Sequence, residues 1–180
     1  MPRLAFMTAA TLHKSYDHPR TQGFIERTGP TFAAAEASEG FIMRSLWPDP
    51  DDVRIWGEWV VPRMFQSIDY ENLVPPTLSL WQDIESVFAF AYNGVHAEAF
   101  RKRREWFAPL TMPGYVAWWV ADDHIPTWQE GSQRFDQLEA EGPAPAAFDF
   151  KHPYGPDGQP VRIDREVVRR KAAIHKRKIS

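Results

Sequence analysis

The stretch Tyr-Val-Ala-Trp-Trp-Val-Ala-Asp-Asp-His-Ile-Pro-Thr at residues 115–127 decides the fold prediction. Side chains alternate between the two faces of a β-strand, so Trp118 and Trp119 should point to opposite faces of one sheet. Each of these large rings needs an apolar layer beside it. The stretch then becomes polar, and Pro126 is typical of a helix start. The sequence therefore predicts a sheet with both faces covered, one by helices and the other by something else, such as a second subunit.

The segments on either side of this stretch complete a βαββαβ pattern. We expect strands at residues 4–11, 41–47, 77–81 and 115–121, and helices at residues 17–39, 84–107 and 127–142, the second of them broken at Asn93-Gly94. Gly29-Pro30 should kink or interrupt the first helix. This order predicts an α+β fold of the ferredoxin-like, split βαβ type, with an antiparallel sheet and helices on one face. A second copy stacked on the open face would make a dimeric α/β barrel.

The chain divides by charge into an acidic body and a basic tail. Residues 1–150 hold 12 Lys and Arg against 21 Asp and Glu, a net of −9, whereas residues 151–180 hold 9 against 3, a net of +6. We expect one domain over 1–150, with an insertion at 48–76 that contains a short extra strand at 54–61. Residues 151–180 should form an extension of linker plus exposed helix. Since an acidic body repels polyanions, the tail should lie against that body or a partner subunit rather than nucleic acid.

Several classes of protein are excluded by composition. The chain has no Cys, so it can have neither disulfides nor Cys-based metal sites. It has no apolar run of 18 residues and no signal-peptide pattern near Met1, which predicts a cytoplasmic protein without a membrane partner. Phosphate-binding loops, nucleophile elbows and zincin motifs are missing. Asp122, Asp123 and His124 do not predict a metal site because no further ligands follow at a fixed spacing.

Three blocks of sequence resemble an uncharacterised bacterial domain family of the dimeric α/β-barrel superfamily. They are Gly-Phe-Ile-Met-Arg at 40–44, Leu-Ser-Leu-Trp at 78–81 with His96 and Arg-Arg-Glu-Trp-Phe at 103–107, and Trp-Trp-Val at 118–120 with His-Ile-Pro-Thr at 124–127. The resemblance runs from about residue 4 to 150 and implies the barrel fold and a homodimer. It implies no reaction, because the superfamily includes cofactor-free monooxygenases, polyketide cyclases, lactone isomerases and haem enzymes.

His96 is the first candidate for chemistry. It shares one predicted helix face with Phe100, Arg103 and Phe107, at spacings of 4, 3 and 4 residues. A histidine in an apolar cleft can move a proton near neutral pH, or it can bind haem iron. The neighbouring arginine could stabilise an enolate or a carboxylate. The alternatives are a hydrogen-bonded core histidine and an arginine paired with an acid on the helix surface.

The aromatic content of 14% predicts either a packed core or a pocket lined by rings. Glu58 is the only acid in the apolar part of the insertion, and burial would raise its pKa and let it exchange protons. The candidate catalytic residues are His96, Arg103 and Glu58, and the candidate ligand-contacting residues are Trp56, Trp59, Trp81, Phe100, Trp106, Phe107, Trp118, Trp119 and His124. Core packing, a dimer contact at Trp56 and Trp59, and a structural turn role for His124 are the alternatives.

These patterns predict an enzyme acting on a hydrophobic or aromatic small molecule in secondary metabolism. The reaction would be a cofactor-independent isomerisation, cyclisation or oxygenation, with His96 as acid or base. One alternative is a haem protein with His96 as axial ligand. Another is a non-catalytic binding or assembly protein whose own rings fill the pocket.

Overall fold

The computed structural model describes residues 1–111 and 114–179, with side chains described as far as Ile174. The strands are β1 (Arg3–Thr8), β2 (Phe41–Arg44), β3 (Thr77–Trp81) and β4 (Tyr115–Val120). The helices are α1 (Gln22–Glu36), α2 (Pro50–Trp56), α3 (Tyr70–Leu73), α4 (Ile84–Ala91), α5 (Gly94–Trp106), α6 (Trp128–Glu141) and α7 (Arg165–Ile179), with a 3-10 turn at Arg63–Phe65. None of the described helices combines the length and the apolar character needed to cross a membrane.

The four strands form one antiparallel sheet in the order β2-β3-β1-β4. This order is the split βαβ arrangement, in which the two strands of each half lie on either side of one strand of the other half. Leu4 on the central strand lies opposite Trp81 of β3 on one side and Trp119 of β4 on the other. The predicted α+β class with an antiparallel sheet is therefore confirmed.

The two tryptophans of β4 point to opposite faces, as their alternation predicts. Trp119 packs on the face that contains Leu4 and Trp81 and is covered by α1, α4 and α7, here called the α4 face. Trp118 belongs to the opposite face, called the α6 face, with Met7. Each face therefore has its own apolar core, which the pleat of the sheet divides.

The α6 face differs from the expectation of an open surface awaiting a second copy. Trp128 and Phe135 of α6 cover it, together with Trp56, Phe65 and Val74 from the insertion. Gly131 lets α6 come close, since a Cβ there would lie 2.6 Å from the Met7 sulfur. The chain's own elements cover this face of the sheet, so its burial does not require a dimer. The homodimer stays a prediction.

The insertion contains a helix where a strand was predicted, so the extra strand at 54–61 is wrong. Asp49 caps α2 by accepting a 2.9 Å hydrogen bond from the Asp51 N–H, and Pro50 takes the first helical position. These are favoured residues for a helix start, and acids in the first turn complement the helix dipole. Gly57 then ends the helix at φ +75°. This capping pattern outweighs the alternation that suggested a strand.

The first helix also departs from its predicted course. It begins at Gln22, not Asp17, ends at Glu36, and runs through Pro30 without interruption. Pro30 is exposed, so water can satisfy the carbonyl left without its usual N–H partner. Strand β2 is likewise shorter than predicted, because pairing with β3 ends at Arg44.

The basic tail folds back on the body. Helix α7 packs on α4, burying Val168 and Ala172 in the core of the α4 face. The Lys171 ammonium lies 3.1 Å from a carboxylate oxygen of Asp83 and 3.5 Å from one of Glu39. The predicted exposed helix is therefore half-packed, and the expectation that the tail lies against the acidic body is confirmed.

Candidate functional site

His96 lies in the first turn of α5 and is wedged between rings. Its ring centroid is 4.9 Å from that of Phe90 and 6.4 Å from that of Phe100, which it stacks at 20°. Its Nδ1 is 2.7 Å from the Ala91 carbonyl oxygen. Since a carbonyl can only accept, Nδ1 must carry the proton and Nε2 must hold the lone pair.

Burial is the main cause that lowers the pKa of His96, and the hydrogen bond to the Ala91 carbonyl opposes it in part. Desolvation disfavours the charged imidazolium, so the ring is neutral at neutral pH. A neutral imidazole with one nitrogen held by the backbone is a directed base. The helical spacing that singled out His96 thus places it in an apolar setting.

Arg103 is exposed and stays on its own helix. Its guanidinium carbon lies 4.1 Å from the Phe100 ring centroid, and Nη1 donates a 2.9 Å hydrogen bond to the Phe100 carbonyl. The structure therefore brings Arg103 and His96 to the same ring, Phe100, which is 41% exposed. Together they present a cation, a π-face and an imidazole on one surface.

The other candidate rings are spread over three places. Trp106 and Phe107 pack against Phe24 of α1. Trp81 and Trp119 lie on the α4 face, and Trp56, Trp59 and Trp118 lie on the α6 face. Trp56, Trp81 and Trp118 are almost completely buried, so they have a packing role, and their contact with a ligand stays a prediction.

Glu58 and His124 belong to other parts of the structure than His96. Glu58 is exposed, so the condition of burial attached to its role in proton exchange is not met. The His124 Nε2 is 2.9 Å from both carboxylate oxygens of Glu130, which also accepts the Thr127 N–H at 2.7 Å. His124 therefore supports the capping box that starts α6, which is the structural alternative for this residue.

A continuous row of rings leads from His96 across the surface. Phe100 contacts Tyr92 at 6.0 Å, and Tyr92 contacts Phe150 at 6.1 Å between ring centroids. Tyr92 is 42% exposed, whereas Phe150 is nearly buried. The Phe150 N–H donates to the Tyr115 hydroxyl at 3.2 Å, which holds the segment after residue 147 to the sheet. Burial raises the pKa of Tyr115, so this hydroxyl stays protonated.

At the far end of this ring row lies a cleft of about 350 Å³. Its lining residues are Phe150, Lys151, Pro153, Val161, Arg162, Ile163 and Arg165. Such a volume falls within the range of small-molecule sites. Sequence patterns did not predict this cleft. A turn across residues 154–160 brings its two sides together, with the Val161 N–H donating a 2.9 Å hydrogen bond to the Pro153 carbonyl.

The described residues contain no grouping of three or more His, Asp or Glu side chains that could hold a metal ion. The site consists of a neutral histidine, a row of rings in which Phe100 and Tyr92 are exposed, and a cleft lined by cations.

Comparison with known proteins identifies a family but no activity. A family model described as a domain of unknown function, DUF3291, matches residues 3–164. Searches of curated proteins and of solved structures gave no match. The matched segment covers most of the chain, including the ring row and all of the cleft except Arg165. The chain therefore belongs to the DUF3291 family of domains of unknown function.

Proposed function

We propose that this protein is an enzyme that binds a hydrophobic or aromatic small molecule and moves a proton with His96. The observation that carries this proposal is the Nδ1 contact of 2.7 Å with the Ala91 carbonyl, which directs the lone pair of a neutral imidazole away from the backbone. A base near neutral pH suits proton removal from carbon. The reaction class is a cofactor-independent isomerisation, cyclisation or oxygenation.

The surroundings of His96 support this role. A ligand ring lying on Phe100 or Tyr92 would make the stacking contacts that aromatic rings prefer. Nε2 would take a proton from that ligand, and in an isomerisation it would return the proton to another atom. The Arg103 guanidinium, held over Phe100, would stabilise negative charge on the ligand in the meantime.

Stability against pH tests the state of His96. The lowered pKa means that the unfolded chain takes up a proton first as the pH falls below the ordinary histidine value of 6.5. This contribution to stability is complete above that value and is lost as the pH falls through the folded-state pKa. We expect His96→Gln to remove this part of the pH dependence in thermal melts between pH 7.5 and 5.5.

The matched control is His18→Gln, because His18 is exposed. The control shows whether loss of any histidine has the same effect. ¹³C-histidine NMR would assign the His96 resonance as the one missing in His96→Gln and titrate it in the wild type. A His96 resonance that titrates at or above 6.5 would contradict the proposal. For any compound that the protein converts, we expect His96→Gln to lower kcat by about 100-fold or more, and His18→Gln to leave it unchanged.

Haem binding is the second candidate, and the same Nδ1 contact favours it. Histidines that bind metal generally donate their other ring N–H to a carbonyl or a carboxylate, as His96 does. The donor atom thus fits haem iron, although His96 does not line the 350 Å³ cleft. Bound haem would supply redox chemistry, and His96 would hold and orient it. Titration with hemin should then give a sharp Soret band that is absent in His96→Gln.

A further inference from the structure

We infer that the cleft beside Phe150 binds the carboxylate end of an elongated aromatic small molecule. This inference rests on the proposed function and names the class of substrate for it. Residues 150–153 form one side of the cleft, and residues 161–165 form the other. No step of the proposed proton transfer uses it, so its chemistry calls for a separate explanation.

Three cations line this cleft: Lys151, Arg162 and Arg165. All three are exposed, and none forms an ion pair of 4.0 Å or less with a carboxylate in the part of the chain that the structure describes. On a chain whose net charge is −3, three cations around one cleft make it a local positive site. Focused positive charge attracts anions, and guanidinium groups suit the planar fork of a carboxylate.

The nearby carboxylates are engaged elsewhere. Asp164 accepts the Glu166 and Val167 N–H groups at the start of α7, at 2.8 and 3.2 Å. Asp149 accepts the Lys151 and His152 N–H groups, both at 2.8 Å. These carboxylate oxygens accept backbone N–H groups and form no ion pair of 4.0 Å or less with the three cations, whose hydrogen-bond donors can therefore turn to a ligand.

The remaining lining is apolar, which selects against a bare inorganic anion. Phe150, Val161 and Ile163 line the same space as the cations. Arg165 also sits on the Phe88 ring, 4.6 Å from its centroid, so its guanidinium is placed against an aromatic wall. A carboxylate attached to a ring would use both kinds of lining at once.

The row of rings explains why the ligand should be elongated. Phe150 lines the cleft. The successive distances between ring centroids are 6.1 Å from Phe150 to Tyr92, 6.0 Å from Tyr92 to Phe100 and 6.4 Å from Phe100 to His96. Only a ligand of several fused or linked rings would reach from the cations to the imidazole. Its carboxylate would set its position, and its far end would lie at His96.

The test uses 2-naphthoate and its neutral analogue 2-naphthamide, which differ in charge but not in rings. Titration by ligand-observed NMR should give a Kd for naphthoate about 10-fold lower than that for naphthamide with the full-length protein. The double variant Arg162→Gln with Arg165→Gln should remove this preference. The matched control is Arg169→Gln, because Arg169 lies on the same helix, is exposed and is outside the cleft.

Two further variants separate the possible outcomes. Arg165→Lys should keep most of the preference if charge matters, and thermal melts should show that all variants are folded. The naphthoate titration measures binding alone, so failure of the histidine chemistry would leave this result intact. Equal affinity for the acid and the amide, or a naphthoate Kd unchanged in the double variant, would overturn the inference.

Discussion

Replacing Gly40 with Ala should lower the free energy of unfolding by about 3 kcal/mol. Gly40 has φ +82°, a backbone conformation that disfavours any side chain. It directly precedes β2, where the backbone comes close to Ser86 of α4. An added Cβ would overlap the Ser86 Oγ and lie 2.8 Å from the Ser86 Cβ. The methyl group could be accepted only if β2 or α4 moved. Urea denaturation followed by far-ultraviolet circular dichroism measures the change.

Gly142→Ala is the matched control for this prediction. Gly142 has φ +79°, close to the value at Gly40, but a Cβ there would meet no atom within 4 Å. We expect it to cost about 1 kcal/mol, the contribution of backbone strain alone. The difference between the two variants then measures the crowding at Ser86. Equal losses in the two proteins would show that β2 does not approach α4 this closely.

Replacing Lys171 with Ala should lower the free energy of unfolding by about 2 to 3 kcal/mol. The Lys171 side chain is only 6% exposed, and its ammonium contacts Asp83, Glu39 and the Ser86 hydroxyl. Removing it leaves two carboxylates, each about one-third exposed, without their cation. Their partial contact with water keeps the expected loss below that of a fully buried pair.

Arg169→Ala serves as the control on the same helix. Arg169 is 76% exposed, and its ion pair with Glu166 is 4.0 Å long. A loss below about 0.5 kcal/mol is expected there. Chemical denaturation of both variants at low and high salt gives the comparison. If Lys171→Ala were as mild as Arg169→Ala, then α7 would not be held to the body through this lysine.

The class of fold followed from local patterns. Alternation at Trp118 and Trp119, the helical spacing after Asp83 and the capping residues at Thr127 each predict an element that the structure contains. These signals depend on the few residues next to one another in the chain. In the insertion two local signals compete, a helix start and a strand-like alternation. The Asp49-Pro50 start outweighs the alternation at 54–61.

The place of His96 on an aromatic helix face could also be predicted from its spacing with Phe100 and Arg103, since one helix face brings these residues together. Its contact with Phe90 could not be predicted, because a break in the helix at Asn93 separates the two residues. The sequence alone thus determined the α+β class, the acidic body with its basic tail, and the histidine on an aromatic face.

Only the tertiary structure decided what covers each face of the sheet and where the cleft lies. Which element packs on a face depends on long-range complementarity of shape, as between Gly131 and Met7, and no local pattern records it. The tail returns because Lys171 meets Asp83, which is 88 residues earlier in the chain. The turn across residues 154–160, which pairs Val161 with Pro153, and the packing of α7 together place Arg162 and Arg165 beside Phe150 and form the site proposed to hold the ligand.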